Sequence, residues 1–353
     1  MHYLRGQIEY RVTVKRKNGY IREYVIVSIS LLILLMLNLT LGSVMLPPKE
    51  ICSSLFGQST QTFVNEILWD YRIPKAITAL LAGVALSVCG LQMQTLFKNP
   101  LADPFILGIS SGAGLGVALF VMGFSAFGIS FSGSVFMNMG IAASAWLGAF
   151  AVTLLILLVS SRLRESTSLL IFGIMLGSVT SALITLLQYF SSSSALKIFV
   201  VWTMGSFSGL TTNQIWIMSA LILPGLIMSV YNIKELNILL MGEAYAKSLG
   251  VNLESTRRRI LIATTLLAGS VTAFCGPIGF IGIAVPHIAR MFFKNADHKV
   301  LIPATALLGA AIMVLTDTVA QLPGQSGIIP INTVSALIGV PIILLIILKS
   351  RFI

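Results

Sequence analysis

The chain has 353 residues, of which 56% are hydrophobic and only 10% charged, with a mean hydropathy of +0.94. A soluble domain carries about 25% charged residues, so this composition excludes a water-soluble globule and points to lipid as the natural solvent. The net charge of +11 would suggest nucleic acid in a soluble protein, but here the basic residues sit in short gaps between apolar runs, where they set orientation in a membrane.

Taken in chain order, residues 1–23 read as a basic cytoplasmic tail and 24–349 as an all-α membrane domain of about ten transmembrane helices. The first run, 24–44, is long enough to span and has no small-residue cleavage site after it, so it is a span and not a cleaved signal. Residues 46–73 form an outer loop whose Trp69 and Tyr71 suit the membrane interface. Spans follow at 74–96, 107–124, 139–160 and 168–190. The stretch Gly112-Ala-Gly-Leu-Gly lacks the G-x-G-x-x-G spacing and a preceding strand, so it reads as helix packing rather than a dinucleotide loop.

Residues 191–206 predict a short amphipathic outer helix before the span at 211–232. The longest polar segment between spans is 233–259, an inner loop rich in helix formers. It contains Gly242-Glu243-Ala244 and Leu249-Gly250, the second glycine placed to cap a short helix. Spans at 260–276, 278–293, 302–322 and 329–348 complete the set; 107–124 and 278–293 are the shortest signals, and the latter carries Pro286, His287 and Arg290.

With the N-terminus inside and ten spans, 19 Lys/Arg fall inside and 4 (Lys49, Arg72, Lys75, Lys197) outside. That asymmetry predicts cytoplasmic N- and C-termini. Polar groups within spans are few. Asp317 is expensive at that depth and must face the bundle or a cavity; the structural reading is a hydrogen bond fixing spans nine and ten. Gln92, Gln94, Gln188 and Asn332 are uncharged candidates for a pore lining. His287 and His298 read as interfacial rather than metal-binding, and Cys52, Cys89 and Cys275 are too scattered for a metal site or disulfide framework. No Walker A loop, H-E-x-x-H or nucleophile elbow occurs, so the sequence predicts no catalytic site, no metal and no cofactor.

Six segments carry a family resemblance: Arg72-Ile-Pro-Lys75; Gln94-x-x-Phe97-Lys-Asn99-Pro100-Leu-Ala-Asp103-Pro104; Leu107-Gly-Ile-Ser-Ser-Gly-Ala-Gly114; Gly242-Glu-Ala through Leu249-Gly250-Val; Gly276-Pro-Ile-Gly-Phe-Ile-Gly282 through Pro286-His287-Ile-Ala-Arg290 with Asp297-His298; and Pro330-Ile through Ala336-Leu-Ile-Gly339-x-Pro341. In this order and spacing they resemble the FecCD-type permeases of ATP-binding-cassette importers for siderophores, haem and vitamin B12, over residues 30–349.

The resemblance implies a type II importer in the bacterial inner membrane, with a second permease copy, two ATPase subunits inside, a substrate-binding protein outside, and no nucleic acid. It implies that Gly242, Glu243, Ala244, Leu249 and Gly250 couple to the ATPase. It further implies that Arg72 and Lys75 meet acidic residues of the binding protein, and that iron complexes are the commoner cargo. The chain departs from the family pattern at Ile328, Asn332 and Gln321, where relatives often have Glu, Gly and Arg. The competing reading, an ion-coupled secondary transporter, expects midplane carboxylates, and Asp317 is the one obvious in-span candidate.

Overall fold

The computed structural model describes residues 19–42, 44–57, 62–124, 134–160, 162–163, 166–321 and 329–350. Tail residues 1–18, Arg164, Ile328 and Arg351 lie outside them. The described residues form helices α1 (Ile21–Thr40), α2 (Pro48–Leu55), α3 (Thr62–Leu96), α4 (Ile109–Gly123), α5 (Ser134–Ser160), α6 (Ser166–Tyr189) and α7 (Ser193–Thr203). After these come α8 (Thr212–Tyr231), α9 (Ile233–Leu239), α10 (Glu243–Ser248), α11 (Leu253–Cys275), α12 (Ile281–Phe293), α13 (His298–Ala320) and α14 (Ile331–Ser350).

Seven of these helices (α1, α3, α5, α6, α8, α11, α13) are long and apolar enough to cross a membrane by length and composition. Of the four shorter apolar helices among the described residues, α4, α12 and α14 fall on the three remaining expected spans and α7 on the expected short helix between spans. The short α4 and α12 match the two weakest spans of the sequence. The outer helix at 191–206 is α7, with Ser192 accepting from the Ala195 N–H as its N-cap.

Several boundaries differ from the sequence reading, among them the start of α11 at Leu253, seven residues before the expected 260. The first span starts at Ile21, because the apolar periodicity extends through Tyr24 and Val27 onto the bundle. The outer loop 46–73 is largely helical: Pro47–Pro48 opens α2, and α3 begins at Thr62, twelve residues before the expected span. A π-helical turn over Ile67–Arg72 lets one helix continue past the polar Asp70 and Arg72.

Helix α3 is the axis of the bundle. Its most apolar stretch is 78% buried, against 17% for α1 and α6, which face outward. Close approach explains how it packs. A Cβ on Gly83 would lie 2.3 Å from the Gly309 carbonyl oxygen of α13, and one on Gly90 would lie 2.0 Å from that of Gly282 on α12. Helices in lipid associate by such backbone proximity, without a hydrophobic driving force. A second layer forms the same way from α4 and α5, where Gly116 would meet the Ser144 carbonyl and Gly148 that of Gly112. Helix α11 joins the layers, with Thr265 and Thr153 sharing a 2.7 Å hydrogen bond to α5.

Candidate functional site

The loop at 233–259 folds into two short helices, α9 and α10. Helix α10 ends where Gly250 takes a left-handed conformation (φ 79°); the Gly250 N–H donates to Lys247 O and the Val251 N–H to Ala246 O. These two bonds are a Schellman cap, and they require a residue that accepts positive φ. Gly242, also at positive φ, opens the helix, and a Cβ there would meet the Lys98 ammonium at 2.9 Å.

Glu243 does not point free into water. It accepts a hydrogen bond from Ser166 and lies 3.5 Å from Arg257 Nη2. Arg257 is itself buried and donates to the Leu163 carbonyl at 3.0 Å. One carboxylate thus ties α10 to the starts of α6 and α11. The opposite face of α10 is bare: Met241, Ala244, Tyr245, Lys247, Leu249 and Gly250 are exposed. Arg257 and Ser166 escaped the sequence reading because a run of three arginines was counted only as an orientation signal.

A polar seam runs from this loop into the bundle. His298 is fully buried, Nε2 against Thr95 Oγ1 (2.9 Å) and Nδ1 against Asn237 Oδ1 (2.7 Å), while Asn237 donates to Asp297 (2.7 Å). This corrects the interfacial placement of His298: its neighbours on α3 and α9 supply the hydrogen bonds that burial demands. His287 contacts the Pro100 carbonyl at 3.0 Å instead. Among the described residues, no group of three or more His, Cys, Asp or Glu is gathered to hold a metal.

Gln92 and Gln94 are buried and face different neighbours: Gln92 donates to Ser229 on α8 (2.6 Å), and Gln94 accepts from Arg290 (2.7 Å) while donating to the Ile283 carbonyl (3.1 Å). Both bind helix to helix inside one chain. In the loop between α3 and α4, outside the spans, Asp103 caps the turn Pro104–Leu107 by accepting from the Phe105 N–H. Burial raises its pKa to about 7 against the opposing pull of that hydrogen bond.

At the end of the bundle opposite the 233–259 loop, Asp317 is fully buried. It lies 3.0 Å from Lys75 Nζ, and its second oxygen accepts from Asn38 (2.9 Å) and Gln321 (2.6 Å). The expected tie to span ten is therefore corrected: Asp317 binds α13 to α1 and α3, whose outer ends converge on it. Gln321, at a position where the family resemblance leads one to expect Arg, completes this carboxylate's shell. Arg72 is also buried and donates to the Leu39 and Val44 carbonyls. Arg72 and Lys75 both border a cavity of about 790 Å³ that also takes in Asp70, Ser208, Thr211 and Gln321.

Asn332 sits apart from these, at the start of α14. Its Oδ1 accepts from the Gly279 N–H (3.2 Å) and its own N–H donates to the Met204 carbonyl (3.2 Å).

A profile of the FecCD transport family matches residues 30–349. The chain belongs to the FecCD transport family. Among curated FecCD-like relatives, the vitamin B12 import system permease protein BtuC of Salmonella arizonae is 38% identical over 92% of this chain and 94% of its own. That of Escherichia coli O9:H4 is 36% identical over 94% and 96%. A solved structure, an inward-facing conformation assigned to a metal-chelate type ABC transporter, superposes with a TM-score of 0.81 at 29% identity, over 93% of this chain and 99% of that one. The PsaBC complex from Streptococcus pneumoniae shares the fold alone, with a TM-score of 0.52 at 17% identity. The FecCD fold is thus that of an ABC importer permease, and the protein is a multi-pass membrane protein.

Proposed function

We propose that this chain carries a bulky metal complex, a ferric chelate or a corrinoid, inward across the bacterial cytoplasmic membrane as the permease of an ATP-driven importer. Two copies form the pathway, two separate ATPase subunits bind inside, and a substrate-binding protein delivers cargo outside. Residues 24–349 form the permease unit, with both termini in the cytosol. The observation that carries this reading is the match along nearly the whole chain, joined to an inner loop whose geometry suits docking. Helix α10 is anchored on one side by Glu243–Arg257 and presents Ala244, Tyr245, Leu249 and Gly250 on the other. Such a rigid, partly apolar ridge can pass a push from the ATPase into α6 and α11. A ligand or nucleotide shifts a two-state bundle only by binding its states with different affinity, and a ridge that moves as one piece with α6 and α11 provides that difference.

The docking role of Arg72 and Lys75 rests on the resemblance. Their side chains are engaged internally in this state, so a binding protein reaches them by displacing those partners. The ion-coupled alternative loses ground at Asp317, which Lys75 already neutralises.

The test is reconstitution with the cognate ATPase and binding protein in proteoliposomes, measuring ATP-dependent uptake of cyanocobalamin and of a ferric hydroxamate chelate. Uptake of one of them, abolished in an ATPase-dead complex, is expected. Uptake driven by an ion gradient without ATP overturns the reading. Glu243→Ala is expected to leave the complex assembled and hydrolysing ATP while uptake falls.

A further inference from the structure

Three non-helical junctions meet at one level of the bundle. They are residues 204–206 after α7, 276–280 between α11 and α12, and 329–330 before α14. The Ser206 N–H donates to Cys275 O (2.9 Å), the Ile331 N–H to Gly205 O (3.4 Å), and Gly279 donates to Asn332 Oδ1. Their depth follows from α12. Its 13 residues rise about 20 Å, against a hydrocarbon core of about 30 Å. The chain turns at 276–280 well below the outer surface. Non-helical backbone at membrane depth is tolerated only where protein buries it or where it borders a water-filled cavity.

Phe280 stands at this turn with φ 70° and ψ −26°. A non-glycine residue in this left-handed region is strained, and such strain clusters at ligand clamps and switches. The neighbour across from it has been cut back: a Cβ on Gly339 would lie 2.5 Å from the Phe280 Cβ. Phe280 lines a cavity of about 550 Å³ with Asn332, Thr333, Ala336, Leu337 and Val340. Thr333 is exposed and Asn332 half-exposed there. An amide and a hydroxyl are poor company for lipid at this depth.

We propose that Phe280, Asn332 and Thr333 line a water-accessible stretch of the cargo pathway, with the strained Phe280 ring as an aromatic ledge against which the apolar faces of a bulky metal complex slide. This assignment rests on the importer reading above. Asn332, where relatives often carry Gly, both caps the broken backbone at Gly279 and gives the ledge a polar edge.

Cysteine accessibility in the assembled transporter tests it without knowledge of the cargo. Phe280→Cys, Asn332→Cys and Thr333→Cys are each made in a Cys52→Ser background and treated with a charged, membrane-impermeant methanethiosulfonate, on intact cells and on inside-out vesicles. Native Cys52, exposed on α2, is the positive control for the outer face, and Leu32→Cys on the lipid-facing side of α1 the negative one. The thiolate is the reacting species, and an apolar setting that raises a thiol pKa by one unit cuts it about tenfold. Rates at least about tenfold above Leu32→Cys, from one face or the other, are expected at 280 and 333. Should Phe280→Cys fail to assemble, Thr333→Cys carries the test alone. Rates equal to Leu32→Cys from both faces, with Cys52 reactive, overturn the proposal: the cavity is then sealed by lipid or by a dry contact with a second copy. ATP-dependent uptake by the same complex is read separately, so a failed ledge leaves the importer reading standing.

Discussion

Removing the Lys75 ammonium tests whether the outer cluster is an internal clasp. Lys75 Nζ lies 3.0 Å from a carboxylate that is fully buried, and its own side chain is 11% exposed. At an effective dielectric near 20, unit charges at that distance attract by roughly 5 kcal/mol. Desolvation of both ions offsets much of this, so the pair adds little net stability, but breaking it from one side strands a buried charge. Lys75→Met is therefore expected to destabilise by about 3–5 kcal/mol. Asn38 and Gln321 still donate to the other oxygen, which places the loss toward the lower end. Lys75→Met combined with Asp317→Asn removes the stranded charge and is expected to recover to within about 1–2 kcal/mol of the parent. Thermal unfolding in detergent, followed by a thiol-reactive dye that reports exposure of the buried Cys89 and Cys275, gives the four corners of the cycle. Additive losses, with the double variant the least stable, would refute the clasp. Capture of the binding protein by the same variants separates the two roles of Lys75. A docking contact stays lost in the double variant, whereas a loss caused by a disordered outer end returns with stability.

Three further outcomes follow from local geometry. Gly90→Ala drives a Cβ to 2.0 Å from the Gly282 carbonyl and is expected to lower the thermal midpoint by an overpacking cost of about 1–3 kcal/mol or more; Gly123→Ala, with open space around it, is the silent control. Gly250→Ala meets no atom but must hold φ 79°, costing about 1 kcal/mol at the α10 cap; Gly250→Asn costs less, since Asn tolerates the left-handed region, and faster amide exchange over 243–251 reports the difference. The Asp103 carboxyl has its pKa raised from 3.8 to about 7 in the folded chain by burial, so it is bound more tightly by its proton in the native state. Its contribution to stability is complete below the unfolded value and is lost as pH rises through about 7. Asp103→Asn, which keeps the cap acceptor, is expected to flatten the fall in thermal midpoint between those limits; an unchanged pH profile removes Asp103 as its source.

The spans were legible because each is a local property: a run of apolar residues either covers the hydrocarbon or does not. The weakest runs became α4 and α12, short for the reason visible in the sequence, namely glycines and Pro286 breaking the apolar density. The Gly250 cap was equally local. Partners were not legible, because they come from residues distant in sequence. Asp317 pairs across 279 positions with Asn38, and Glu243 meets Ser166 and Arg257 from two other helices. Charge counting could assign Lys75 and Arg257 to a side of the membrane but not to a carboxylate. It treated every cation as solvated, whereas Lys75 answers the buried Asp317 and the buried Arg257 answers Glu243.

The same reasoning explains why the departures at the outer corner hang together. A fully buried carboxylate at position 317 needs its charge answered once, not twice. Lys75 supplies that charge, and a second cation at 321 would have to find another anion or leave for the cavity. The neutral Gln321 instead donates 2.6 Å to Asp317 Oδ2, and Asn332 likewise supplies an acceptor that the broken backbone at Gly279 lacks in a chain with glycine there. Both residues satisfy a buried hydrogen bond without adding charge, and at 321 a neutral amide stands where an Arg would add a cation to that end of the bundle. Asp70, in the same cavity as Arg72 and Lys75, lowers the positive charge there further. A binding protein that delivers to this permease therefore meets a mouth with fewer free cations than one with Arg at 321 would present. Its capture is expected to depend on ionic strength less steeply than that of a Gln321→Arg variant, because rim charges act mainly on encounter. Titrating capture against salt for the two proteins decides this, and identical slopes would mean that position 321 never faces the partner.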